Sequence, residues 1–132
     1  MPSTRDTWVW SGLATLFVLV PSCAVLSRVG MELFISSGST GEGSVGTYLG
    51  AFALTVLAGW AGVLFSLLLT VGLFLDSRQL QRTDRDWSPT PLYALAGIAH
   101  AVGTTLFAAF AVSVPVIGYY LYRRRERDTT AI

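Results

Sequence analysis

The sequence predicts an all-α membrane protein, three transmembrane helices in a small bundle, and two observations carry that prediction. The first is composition: of 132 residues, 52% are hydrophobic and only 13% are charged. The mean hydropathy is +0.57, and soluble domains usually carry about 25% charge. The second is distribution, because the charge is confined to the ends and connections of three apolar segments, Trp8 to Leu26, Val45 to Leu75 and Leu92 to Tyr122. About 20 apolar residues cross a hydrocarbon core of roughly 30 Å, so each segment is expected to span once, and none is long enough to turn and span twice. Backbone amides in lipid are bonded within their own segment or in a closed barrel, and unbroken apolar runs without alternation point to helices.

Taken in order, the first helix is expected over 8–26, uncharged and interrupted only by Pro21. Its amino-terminal setting and the sequence "VPSC" share features with a secretory signal ending at a lipid-modified cysteine. Pro21 fits that pattern poorly and the run stays apolar through Leu26, so a retained helix is expected, with Cys23 as a small apolar filler. The connection 27–44 is dominated by Gly and Ser from Ser36 onward, which predicts a flexible loop preceded by one interfacial turn around Met31 to Ile35. The second helix is expected over 45–75. The connection 76–91, "DSRQLQRTDRDWSPTP", carries three Arg, three Asp and two Pro; Ser88 and Thr90 precede prolines, so the third helix, 92–122, should begin close to Pro91. A charged tail, 123–132, completes a single integral membrane domain.

Aromatic residues mark the expected span ends. Trp8 and Trp10 open the first helix, Trp87 and Tyr93 the third, and Tyr119, Tyr120 and Tyr122 close it, at positions suited to headgroup depth. Tyr93 to Tyr119 covers about 39 Å at the helical rise of 1.5 Å per residue, so the third helix should tilt or bend, with the kink at Pro115. Small residues recur four apart: Gly46 and Gly50, Thr55 and Gly59, Ala58 and Gly62, then Gly97 and Ala101, Ala99 and Gly103, Thr104 and Ala108. This spacing lets backbones approach closely, so helices two and three are expected to pack through Gly50, Gly59, Gly62, Gly97 and Gly103.

Three spans would put the amino terminus and the 76–91 connection on one side, with Arg5, Arg78, Arg82 and Arg85. The other side would hold Arg28, Arg123, Arg124, Arg125 and Arg127. Four against five does not decide the positive-inside rule; the concentration of Arg123, Arg124 and Arg125 beside a helix end favours a cytoplasmic tail in the cell membrane, while the uncharged Gly/Ser loop on the same side argues the other way. These three arginines are also candidates for lipid headgroup contacts, although a topology anchor is the commoner role for such a tail.

The chemistry available is narrow. One cysteine makes neither a disulfide nor a metal site, and a net charge of +1 indicates no nucleic-acid partner. The apolar segments hold one His and no acidic residue, too little for a nucleophilic triad, so no enzyme activity, cofactor or metal is expected. The linker "GSTGEG" has no Lys and no strand-to-helix setting for a phosphate. His100 is the one intramembrane group with a near-neutral intrinsic pKa, about 10 Å along the helix from Tyr93. The bland reading, a neutral imidazole bonded to a hydroxyl such as Thr55, Ser66 or Thr70 or to a backbone carbonyl on a neighbouring helix, outweighs a proton path, because only one link of such a path is visible.

Asp76 closing one helix, Trp87-x-Pro89-x-x-x-Tyr93 opening the next and Tyr120-Leu121-Tyr122-Arg123-Arg124 closing it resemble small uncharacterised multi-pass membrane proteins of halophilic archaea. The resemblance covers roughly residues 70–125 and implies architecture, with no activity to carry over. In it Asp76 would cap its helix or pair with Arg78 or Arg82. The function expected is that of a structural or accessory subunit acting through helix packing, with lipid and a second copy or larger membrane complex as partners. The alternative is an oligomeric transporter or channel component that uses His100 in a polar path.

Overall fold

A computed structural model of the chain contains, among the described residues, four α-helices: α1, Thr4–Thr40; α2, Val45–Gln81; α3, Tyr93–Val102; and α4, Phe110–Thr130, preceded by a 3-10 turn at Phe107–Ala109. The structure describes residues 4–41, 44–83 and 87–130, and among these there is no strand. Glu42 and Gly43 of the expected linker, Arg85 with its flanking aspartates, and the last two residues of the tail lie outside them. Two helices, α1 and α2, are long and apolar enough to cross a membrane.

The first correction concerns the connection 27–44, most of which is helix. α1 runs past Leu26 through Arg28 and Glu32 to Thr40. The stretch "SRVGMELF" is rich in good helix formers, and the hydroxyls of Ser36 and Ser39 donate back to the carbonyls of Leu33 and Ser36 at 3.2 and 3.3 Å. The helix is closed by Gly41, whose φ of 66° is the left-handed conformation that ends helices. α2 then starts on Ser44, whose Oγ accepts from the Thr47 N–H at 3.2 Å. It too overruns its apolar segment, by a turn and a half.

α1 and α2 form an antiparallel hairpin in register along their whole length. Gly38 meets Tyr48, Gly30 meets Ala51 and Thr55, Gly59 meets Ser27, Gly62 meets Cys23, and Gly72 meets Leu13. One of these seats requires glycine: a Cβ on Gly30 would lie 2.6 Å from Thr55 Oγ1 and 2.9 Å from its backbone N, whereas one on Gly72 would meet only the end of the Leu13 side chain at 2.9 Å. Thus Gly59 and Gly62 serve the α1–α2 contact, with Gly62 also 3.5 Å from Thr104, while Gly50 is exposed with open space around it. Gly30 and Gly72, absent from the sequence prediction, hold the closest approaches.

The second correction is larger. The third apolar segment does not form one helix with a bend at Pro115; it folds back on itself before that residue. α3 ends at Val102, Leu106 is extended (φ −113°, ψ 98°), and α4 returns beside α3. The ring centroids of Tyr93 and Tyr120 are 4.9 Å apart, where a straight helix would separate them by about 40 Å. The reversal uses Gly103, because a Cβ there would collide with the Phe110 ring at 2.5 Å, so only a bare backbone lets that ring lie over it. Thr104 Oγ1 donates to the Ala101 carbonyl at 2.6 Å and Arg28 Nη2 to the Thr105 carbonyl at 3.4 Å, satisfying carbonyls where the helix stops. Pro115 sits inside α4.

This second hairpin packs α3 against α2, with Gly97 seated on Thr70, where a Cβ would lie 2.8 Å from Thr70 Cα. α4 closes against α1 and α2 around Leu13, Leu69, Leu73, Ile117 and Leu121, and its turn is held by Phe110 against Val20 and Ala24. The turn therefore reaches only the middle of the long hairpin. The start of α1, the end of α2 and both ends of the second hairpin share one end of the molecule.

Gly97→Ala is expected to lower the stability of the purified protein by about 1–3 kcal/mol through overpacking against Thr70. Gly12→Ala, whose added Cβ meets nothing within 4 Å, should be neutral or mildly stabilising. Equal thermal unfolding midpoints for the two variants would contradict this packing.

Candidate functional site

One face of α4 carries Ser113, Ile117, Tyr120, Arg124 and Arg127 at alternating spacings of four and three, the period of a buried helix stripe, and all five are buried. The polar members define two clusters, one beneath the turn of the second hairpin and one at its open end.

The first cluster is centred on His100, which is fully buried. Its Nε2 lies 3.0 Å from the Phe17 carbonyl and its Nδ1 2.7 Å from Ser113 Oγ. A carbonyl only accepts, so Nε2 bears the proton of a neutral ring and Nδ1 accepts from the Ser113 hydroxyl. The Phe17 carbonyl is open for a reason written in the sequence. In α1 it should accept from the N–H of residue 21, and residue 21 is proline, which has none. The imidazole supplies the missing donor from another helix. The ring stacks on Phe17 at 5.4 Å and meets the edge of Phe110 at 5.0 Å.

The hydroxyls expected as partners are used elsewhere. Thr55, Ser66 and Thr70 each donate to the carbonyl four residues back, those of Ala51, Gly62 and Ser66, at 2.7–2.8 Å. Ser113 is set opposite His100 by the reversal of the chain, a placement that spacing along one straight helix would not suggest.

The second cluster is an ion pair under an aromatic cover. Arg124, 2% exposed, donates through Nε to Asp76 Oδ2 at 2.7 Å and through Nη2 to Oδ1 at 2.9 Å, a bidentate pair. Tyr120 donates to the same Oδ2 at 2.6 Å. Arg124 Nη1 reaches the Asp6 carbonyl at 3.2 Å, so this one side chain ties α1, α2 and α4 together. Below it, Arg127 donates to the Leu80 carbonyl at 3.3 Å and to Thr83 Oγ1. Trp87 packs edge-on against Tyr93 and Tyr120, and Pro89 is buried beside the helix opening.

Several sequence expectations change here. Asp76 pairs with Arg124, not with Arg78 or Arg82, because the folded-back α4 brings Arg124 to it. Of the residues expected at headgroup depth, Trp8, Tyr119 and Tyr122 are exposed, whereas Tyr120 is fully buried and Trp10 is half-buried and donates to the Leu121 carbonyl at 2.9 Å. Of the three expected headgroup arginines, Arg124 is inside; Arg123 pairs with Glu126 at 3.1 Å, and Arg125 lies 5.1 Å over the Trp10 ring.

Between the clusters lie about 10 Å of α4, filled by Leu69, Leu73 and Ile117, all completely buried. The polar groups above and below this layer are bonded within their own cluster. No three His, Cys, Asp or Glu side chains gather as a metal site among the described residues. No family model, curated protein sequence or solved structure matches this chain.

Two measurements test the clusters. In a double-mutant cycle of unfolding stability, His100→Ala alone should cost several kcal/mol by leaving the Phe17 carbonyl unsatisfied, and Pro21→Ala should recover part of that loss by restoring an intrahelical N–H. A coupling energy below the usual 0.5 kcal/mol threshold would separate Pro21 from His100. For the ion pair, Asp76→Asn should destabilise by about 3–5 kcal/mol because it strands a buried guanidinium. The double variant Asp76→Asn/Arg124→Met should lose less than Asp76→Asn alone; a greater loss would count against a paired charge.

Proposed function

We propose that the chain is a small integral membrane protein of the cell membrane that acts as a structural or accessory subunit through helix packing. α1 and α2 cross the bilayer, and the α3–α4 hairpin enters and leaves from the same side. The resemblance to small multi-pass proteins of halophilic archaea belongs to the same reading. The supporting surface is apolar: large residues on α2 such as Leu49, Phe52, Leu57, Trp60 and Leu67 stand more than half exposed, a pattern suited to lipid or other membrane helices and costly in water.

The observation that carries the reading is the placement of charge. With the third segment folded back, Arg5, Arg78, Arg82, Arg123, Arg124, Arg125 and Arg127 stand at one end, and among the described residues Arg28 alone is far along α1. For these eight arginines, three against five under three crossings becomes seven against one, and the positive-inside rule then favours the tail, the amino-terminal end and the 76–91 connection in the cytoplasm. A re-entrant backbone at membrane depth is tolerated where protein encloses it. The close packing of Gly97 and Phe110 and the bonding of His100 meet that condition for much of the hairpin. A transporter role for His100 has less support, since both ring nitrogens are bonded and the Leu69, Leu73 and Ile117 layer parts it from Asp76.

Single cysteines at Ser39, Ser88 and Glu126 in a Cys23→Ala background test the topology with a membrane-impermeant maleimide. Ser39→Cys should label in intact cells, and Ser88→Cys and Glu126→Cys only after lysis. Labelling of only one of Ser88→Cys and Glu126→Cys in intact cells, whichever it is, would restore three crossings.

A further inference from the structure

Four of the seven arginines at the charged end are engaged: Arg124 with Asp76, Arg127 with Leu80 and Thr83, Arg123 with Glu126, and Arg125 over Trp10. Arg5, Arg78 and Arg82 are placed differently. At 100° per residue, Arg78 and Arg82 lie on the face of α2 opposite Asp76 and Leu80, beside the start of α1. The three line a groove of about 510 Å³ together with Gln79 and Leu75. No carboxylate among the described residues pairs with them. Arg5 Nη2 reaches Gln79 Oε1 at 3.4 Å, and the Arg78 guanidinium stands 5.8 Å over the Phe74 ring.

Guanidinium groups converging on one groove repel one another until an anion joins them, and their planar forks match the oxygens of a phosphate. The stripe below the groove says what carries that phosphate. Leu64, Leu68, Val71 and Leu75 are each more than half exposed. They follow spacings of four, three and four, and Arg78 and Arg82 continue the same line by three and four. From Leu64 to Leu75 the stripe is about 16 Å long, and half of a roughly 30 Å hydrocarbon core, one leaflet, is about 15 Å.

We infer that Arg5, Arg78 and Arg82 bind the phosphate of an anionic lipid headgroup, with one acyl chain laid along Leu75, Val71, Leu68 and Leu64. The inference rests on the membrane reading above and moves headgroup recognition from the tail to the meeting of α1 and α2. A free phosphate would use the arginines and leave the apolar stripe bare; the lipid uses both.

The test is native mass spectrometry of the detergent-solubilised full chain with phosphatidylglycerol, with phosphatidylcholine of the same acyl chains, or with inorganic phosphate. A phosphatidylglycerol adduct is expected that the other two do not match. Each arginine removed should weaken it about fivefold, so Arg5→Gln/Arg78→Gln/Arg82→Gln should lose at least tenfold while Arg123→Gln/Arg125→Gln stays within twofold. Leu68→Gln/Val71→Gln keeps the arginines and should also weaken the adduct, which guards against a fold defect in the triple variant. An equal adduct on the triple variant, or equal binding of phosphatidylcholine, overturns the site; inorganic phosphate binding as well as the lipid makes it a free-anion site and also overturns it. Alkaline carbonate extraction of cell membranes separates the two failures. A chain released by carbonate removes the membrane reading with the site, and a chain retained there but indifferent to lipid removes the site alone.

Discussion

Pro21 takes one N–H out of α1, and the carbonyl it leaves open at Phe17 is where the second hairpin attaches. In an apolar setting an unpaired carbonyl is expensive, and the donor that meets it comes from a residue more than eighty positions later. His100 delivers that donor only because Gly97 lets α3 press onto α2 and because Gly103 and Phe110 turn the chain back, so that Ser113 can hold the other side of the ring. The proline of one helix, the glycines of another and the only histidine thus form one arrangement, and each part is intelligible through the next.

At the other end, Arg124 does a similar service for charge. A buried guanidinium requires a carboxylate in good geometry, and Asp76 supplies two oxygens, with Tyr120 filling a further lone pair and Asp6 drawing in the start of α1. Both polar clusters lie on the same face of α4, ten ångströms of leucine and isoleucine apart. The spacing makes the hairpin a strap pinned at both ends and apolar between.

The return of the hairpin also governs how the surface is organised. Once α4 runs back toward the end of α2, the arginines that three crossings would divide collect at one end, and the apolar lengths of α1 and α2 beyond the turn are left facing outward. Arg123, Arg124 and Arg125, adjacent in sequence and alike in composition, part company: one is buried, one is paired with its own helix and one lies on an indole. Their different surroundings follow from the 100° step of the helix and from what packs on each side.

Legible from the residues alone were the helical character of the chain, the places of the apolar segments, the start of helix three near the prolines at 89 and 91, and the small residues that let helices approach. These depend on local composition and spacing, which any reader of the chain can count. The sequence also singled out His100 as needing a partner, without naming one, since hydrogen-bond partners across helices are set by register and not by proximity along the chain. It took the packed helices to show that the third apolar segment turns back at Gly103, that Asp76 belongs to Arg124, that Ser113 and the Phe17 carbonyl hold the imidazole, and that Gly30 makes a tight seat against backbone while Gly50 makes none. An apolar run of thirty residues is equally compatible with one helix or two, and the difference lies in whether a Cβ at one position would strike a ring seven residues further on.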